Sequence, residues 1–239
     1  MKTLHLICNS HIDPVWQWDW DEGAAAALST FYAACNLLDK YDFIFCHNEV
    51  LVYEYIEKHD PELFERIKKL VLEGKWKIMG GWYCQPDCLV PSGESFIRQC
   101  STGREYFQEK FNARPTVALN FDSFGHSKGL PQILKKCGFD SYIMCRPLDW
   151  YAAPGMNKYP IPHGPFLWEG YDGSRIKALR YEDEFHNYTT PFGKAKEAIL
   201  KKVEQYKDDE IVPVLWGVGN HGGVSSEKDL EDIMVLQDE

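Results

Sequence analysis

Two rhythms alternate along the chain. Short continuous apolar runs, the spelling of buried strands, are separated by stretches in which apolar side chains recur at helical spacing. TLHLICNS (3–10) predicts a buried strand, and 22–40 predicts a helix with Leu28, Phe31, Cys35 and Leu38 on one face. A second strand is expected over FIFCHN (43–48). The next helix opens with Asp60 as N-cap and Pro61 at its first position. It turns Leu63, Phe64, Ile67, Leu70 and Val71 inward and ends at Gly74. KWKIMGG (75–81) predicts the third strand, and 92–107 a helix with Phe96, Cys100 and Phe107 facing inward. PTVALNFD (115–122) and DSYIMCR (140–146) read as strands flanking a helix over 129–138 that Gly138 closes. A loop rich in Pro, Gly and Tyr is expected over 147–164, then a hairpin over 166–181 turning at Asp172–Gly173. A helix near 193–206, a strand over 211–219 and a last helix begun by a capping box at Ser226 and Asp229 complete the pattern.

Repeated strand–helix spelling implies a parallel sheet, because parallel neighbours need crossover connections. Six or seven strands with apolar content on both faces suggest a closed or nearly closed barrel. No linker and no repeat interrupts the pattern, so one α/β domain is expected over the 239 residues.

Composition narrows the partners. A formal net charge of −10, with no Lys/Arg run longer than two, argues against nucleic acid and anionic membrane, which both select basic patches. The opening MKTLHLICNSHIDP carries no apolar signal core, and no apolar run approaches a membrane span. A cytoplasmic protein is therefore expected. The eight cysteines are scattered through strand and helix cores and read as buried, reduced thiols. Cys84 and Cys88 are closely spaced but lack a second pair to complete a zinc knuckle.

Chemistry in such folds gathers at the carboxyl ends of strands, and these ends are polar here. The first carries His11 and Asp13, the second His47-Asn48-Glu49, the third Gly80-Gly81-Trp82 with Asp87 beyond. The fourth carries Asp122 through His126, the fifth Arg146, and the last Asn220-His221-Gly222-Gly223. His11 and Asp13 lie two apart on extended chain, so both side chains can share a face. Imidazole nitrogen and carboxylate oxygen suit Zn²⁺ at about 2.0–2.2 Å; a capped strand end before Pro14 is the alternative. Asp122 fits three roles: metal ligand, nucleophile or ordinary helix cap. His126 reads as a packed loop histidine, and His59-Asp60 as no more than a helix start.

The segment NSHIDPVWQWDW resembles the HxDPxW signature of glycoside hydrolase family 38, the class II α-mannosidases. GGWYCQPDCLVPSGESFIRQ, ALNFDSFGHSKGLPQILKKCGF and WGVGNHGG resemble further blocks of that family, in order, over residues 5–223. The resemblance implies an irregular seven-stranded β/α barrel with mostly parallel strands. It implies zinc held by His11, Asp13 and Asp122, with Asp122 also the nucleophile of a retaining hydrolysis of terminal α-linked mannose. By the same resemblance Trp16 and Phe124 line the sugar subsite, and Asp87, Arg146 and His221 lie near the substrate, a mannose-containing oligosaccharide or glycoside.

Two departures stand out. The family's fourth zinc ligand is a His in an HD-x-x-x-GT motif beyond the Gly-rich strand, and no such motif occurs in this chain. The Gly-rich segment carries no carboxylate, leaving Asp87, Glu49 or a residue past 239 as general acid/base. The chain is thus expected to be a C-terminally incomplete catalytic domain without the helical-bundle and β domains, exposing apolar surface and self-associating. The full-length parent is expected to be a homo-oligomer. Competing readings are a metal-dependent polysaccharide deacetylase-like hydrolase and a sugar-binding fragment without catalysis.

Overall fold

A computed structural model describes residues 3–146, 164–181, 192–219 and 221–238. In chain order its elements are β1 (Thr3–Ser10), α1 (Trp20–Leu38), β2 (Phe45–Glu49), α2 (Val50–His59), α3 (Pro61–Leu72), β3 (Trp76–Trp82), α4 (Gly93–Phe111), β4 (Val117–Asn120) and α5 (Leu130–Lys136). Then follow β5 (Ser141–Met144), β6 (Gly164–Glu169), β7 (Arg175–Arg180), α6 (Ala195–Gln205), β8 (Ile211–Val218) and α7 (Glu227–Asp238). Of the expected loop over 147–164, residues 147–163 lie outside the described residues, as does Asn220 of the Gly-rich end.

The strands form two four-stranded sheets, β3-β2-β1-β8 and β4-β5-β7-β6. β1 runs parallel to β2 and β8, and β5 parallel to β4 and β7. β6 runs antiparallel to β7, as the first arm of the predicted hairpin at Asp172–Gly173. An α/β architecture of mostly parallel strands is therefore present, whereas no closed ring of strands is seen among the described residues. Among the described residues there are eight strands, two of them from the hairpin.

Contacts divide the described chain into two compact units. One comprises residues 3–47, 52–77 and 192–238, the other 48–51, 78–146 and 164–181.

In the first unit, α1 buries Ala24, Ala27, Phe31, Ala34 and Cys35, with the predicted Leu28 at the margin of that face. α3 follows the sequence closely: Asp60 accepts the Leu63 N–H at 2.9 Å, Pro61 fills the first turn, and Leu63, Phe64, Ile67 and Leu70 are buried. α2 has no counterpart in the sequence reading. Its spelling VLVYEYIEKH is β-branched and aromatic, yet Val50, Val52, Tyr53, Tyr55 and Ile56 are all buried. Burial on nearly every side overrides the weak helix propensity of those residues.

Phe31 and Tyr53 pack on His47, with ring centroids 5.1 and 5.6 Å from its own, and Phe45 and Trp76 extend the cluster behind Phe31. His47 Nδ1–H donates to the Ser10 carbonyl at 3.2 Å, and burial pushes its pKa down from 6.5 to about 3. The unfolded chain therefore takes up this proton more readily than the native one. Stability is unaffected above about pH 6.5 and falls by up to about 1.4 kcal/mol per pH unit below it, levelling near pH 3. Urea midpoints measured from pH 7.5 to 4 should fall more steeply for the native chain than for His47→Gln. Equal slopes would remove His47 as the cause.

In the second unit, the core joins Trp82, Phe96, Cys100, Leu130, Leu134, Phe139, Tyr142 and Ile176. α4 approaches β3 closely at Gly103, where a Cβ would stand 2.3 Å from the Gly81 carbonyl oxygen. A side chain there would force helix and strand apart. No helix among the described residues is long and apolar enough to cross a membrane.

Candidate functional site

β1 and β8 are paired over their whole length, Thr3 with Ile211 through Ser10 with Val218. The His11 N–H extends the ladder by donating to the Val218 carbonyl at 2.9 Å, and Ile12 bridges His221. This register brings the His11–Asp13 segment beside the Gly-rich end of β8. His11 is 5% exposed, and its Nε2 lies 3.2 Å from Asp13 Oδ1. Two donors so spaced, each about 2.1 Å from one ion, would subtend roughly 100°, close to the tetrahedral angle zinc favours. The donor pair thus fits a metal of that type.

The turn after β8 depends on Gly222. Its φ is +82°, and a Cβ there would meet Thr30 Oγ1 at 2.6 Å. That hydroxyl instead accepts the Gly223 N–H at 2.7 Å, pinning the turn to α1. His221 meets Trp18 edge-on with ring centroids 3.8 Å apart, and its Nε2 lies 3.1 Å from Glu22 Oε1. Trp18 in turn donates to the Asp13 carbonyl at 3.0 Å and meets Trp16 edge-on. Trp16 itself is 63% exposed, an open aromatic face. His11, Asp13, Trp16 and His221 are therefore one neighbourhood, joined by Trp18 and Glu22, which the sequence reading did not single out. The alternate spacing of Trp16, Trp18 and Trp20 in the sequence was the available signal.

A second neighbourhood forms where β4 and β5 end. Asn120 pairs with Met144, so the residues two further on, Asp122 and Arg146, fall opposite each other. Arg146 Nε donates to Asp122 Oδ1 at 2.6 Å, and its guanidinium lies 5.1 Å from the centre of the exposed Phe124 ring. His126 is packed, as expected: Nε2–H donates to the Arg146 carbonyl at 2.7 Å and Tyr142 O–H donates to Nδ1 at 3.0 Å. Burial lowers its pKa, consistent with a neutral ring that fixes the backbone of Arg146. Asp122 thus meets an arginine rather than acting as a helix cap; α5 begins at Leu130 behind Gly129.

Asp87 is exposed, and its Oδ1 accepts the Leu89 and Val90 N–H groups at 2.8 and 2.9 Å. Its charge acts on His126, in the segment that also carries Asp122 and Phe124. The loop it shapes is tied to theirs through Cys88 N–H, which donates to Ser123 Oγ at 3.2 Å. Glu49 is 2% exposed and holds Gln85: the Gln85 N–H reaches its Oε1 at 2.8 Å and the Gln85 amide its Oε2 at 3.5 Å. Gln85 Oε1 then accepts the Phe121 N–H at 2.9 Å, next to Asp122. Gln85 was not anticipated, since nothing local in its spelling points 36 residues along the chain. Gln85→Leu should speed hydrogen exchange of the Phe121 amide about tenfold, the value of one lost hydrogen bond. An unchanged rate would show that the amide is held otherwise.

A model of the glycosyl hydrolases family 38 N-terminal domain matches residues 1–239. The chain belongs to glycosyl hydrolase family 38. It is 31% identical over 231 residues to alpha-mannosidase G of Dictyostelium discoideum, covering 95% of this chain and 20% of that protein. It is 26% identical over 236 residues to an alpha-mannosidase of Saccharomyces cerevisiae, covering 97% and 21%. The crystal structure of an alpha-mannosidase from Enterococcus faecalis V583 superposes with a TM-score of 0.80 at 21% identity, over 100% of this chain and 27% of that one. The chain thus spans about a fifth of the length of these curated family 38 relatives, and the structural likeness speaks for the shared α/β fold.

Proposed function

We propose that the protein carrying this domain is a zinc-dependent retaining α-mannosidase. The observation that carries the reading is the His11–Asp13 donor pair, 3.2 Å apart at the end of β1, in a family 38 chain whose matched relatives are alpha-mannosidases. His11, Asp13 and Asp122 would hold the ion. Bound there, it would supply Lewis-acid contact to sugar hydroxyls. Trp16 and Phe124 offer exposed rings on which a sugar face can pack, and Arg146 and His221 offer nitrogen donors for its hydroxyls. Asp122 would attack the anomeric carbon and release the aglycone, and water would then free the mannose. Arg146 orients that carboxylate. For acid/base work, Asp87 is the exposed candidate; Glu49, buried and engaged by Gln85, is better suited to positioning. The irregular β/α barrel is the architecture proposed for the whole domain. A reducing, cytoplasmic setting fits the eight free cysteines, and a homo-oligomeric parent belongs to the same proposal.

Elemental analysis provides the test. The native chain is expected to hold about one zinc that His11→Ala loses, with affinity falling at least about tenfold. An active full-length protein should release mannose from an aryl α-mannoside. Release of acetate from an acetylated glycan, without mannose, would replace this reading with a deacetylase.

A further inference from the structure

We propose that His126, buttressed by Tyr142, is a positioning residue that seats Arg146 against Asp122 and so sets the orientation of the nucleophile; the inference rests on the role given to Asp122 above. Arg146 stands two residues past the end of β5. Its N–H still donates to the Phe121 carbonyl at 3.1 Å, while Tyr181, just past β7, donates two residues earlier, to the Met144 carbonyl at 2.8 Å. The Arg146 carbonyl is held by a side chain instead, since His126 Nε2–H reaches it at 2.7 Å. With both of its backbone polar groups engaged, Arg146 projects its side chain from a fixed Cα.

The segment after β4 supplies the other grips. Every second residue of it meets the same arginine: the Asp122 carboxylate lies 2.6 Å from Nε, the Phe124 ring centre 5.1 Å from the guanidinium, and the His126 imidazole on the carbonyl. Ser123 between them is engaged elsewhere, accepting the Cys88 N–H at 3.2 Å and donating to the Gly125 carbonyl at 2.8 Å.

His126 performs this task in one tautomer. A carbonyl only accepts, so the ring proton sits on Nε2, and in the neutral ring Nδ1 is left to accept. Tyr142 supplies that donor, with its O–H 3.0 Å from Nδ1. Tyr142 is fully buried, and its oxygen also lies 3.7 Å from Cys88 Sγ. Trp168 meets the imidazole edge-on, with ring centroids 6.2 Å from His126 and 5.8 Å from Tyr142. Tautomer and ring orientation are thus both fixed from behind, as outer-shell partners fix a histidine that serves a site.

The experiment compares His126→Leu, His126→Gln and Tyr142→Phe in an active full-length protein carrying this domain. His126→Leu is expected to lower kcat on an aryl α-mannoside about a hundredfold with KM within about twofold, because a misplaced nucleophile loses rate rather than binding. His126→Gln, whose amide N–H can stand in for Nε2–H, should recover all but about fivefold, with Tyr142→Phe between the two. A double-mutant cycle separates positioning from general damage: once Arg146→Leu is present, His126→Leu should cost less than about threefold more. Full additivity, or equal losses in the Leu and Gln variants, would overturn the proposal. A readout free of turnover runs beside it. Phenylglyoxal should modify Arg146, followed by peptide mass, about tenfold faster in His126→Leu than in the native protein, because the guanidinium leaves its seat more often. Should His126→Leu fail to fold, Tyr142→Phe carries both the cycle and the labelling. An unchanged labelling rate would overturn the seating of Arg146 whatever the enzyme's reaction. Turnover surviving in Asp122→Asn while the labelling difference holds would instead remove the nucleophile assignment and leave the seating intact.

Discussion

Asp122→Asn is expected to lower α-mannosidase turnover by roughly 10⁴-fold or more in an active protein carrying this domain. The side chain sits at the end of β4, 27% exposed, with Arg146 Nε 2.6 Å from Oδ1. The amide keeps the size of the carboxylate but cannot form the glycosyl ester, so loss of rate separates chemistry from packing. A 2-fluoro-mannosyl fluoride should leave a covalent sugar on the Asp122 peptide of the native protein and none on the variant. Turnover above about a hundredth of native in Asp122→Asn would assign the nucleophile elsewhere. Arg146→Leu should reduce the rate less, because it removes a group that orients the nucleophile and leaves the nucleophile itself in place.

Asp229→Ala is expected to destabilise the domain by about 3–5 kcal/mol, because it strips a buried carboxylate from several donors at once. Asp229 is 2% exposed. It accepts Ser226 Oγ–H at 2.6 Å and the Ser226 N–H at 3.3 Å, closing the capping box of α7. It also accepts the N–H groups of Gly193 at 3.0 Å and Ala195 at 2.9 Å, which open α6. One carboxylate therefore caps two helices. Removing it leaves buried amides unpaired, and Tm should drop by roughly 10 °C for a chain of this size. Calorimetry on Asp229→Ala and Asp229→Asn would decide; a drop under about 2 °C would mean that water replaces the lost acceptor.

What the chain determines by itself are features with a local cause. Pro61 behind Asp60, Gly173 behind Asp172, and Ser226 three residues before Asp229 each set a boundary through backbone geometry within one turn. The polar strand ends were legible for the same reason, since His11 and Asp13 are two residues apart and their meeting needs only extended chain. The family blocks named Asp122 and Arg146, but what brings them together is the register of β4 on β5, which equates Asn120 with Met144. Tertiary packing likewise turned the strand-like spelling of α2 into a helix, because burial on nearly all sides outweighs propensities of a few tenths of a kcal/mol per residue. The barrel expected from apolar strands is not closed among the described residues, since apolar pattern reports burial and only backbone pairing reports which strand lies next to which. Gln85 reaching from Glu49 to Phe121 and one carboxylate capping two helices arise between elements far apart in sequence. Such contacts depend on how helices and strands pack, and no short-range signal in the chain encodes them.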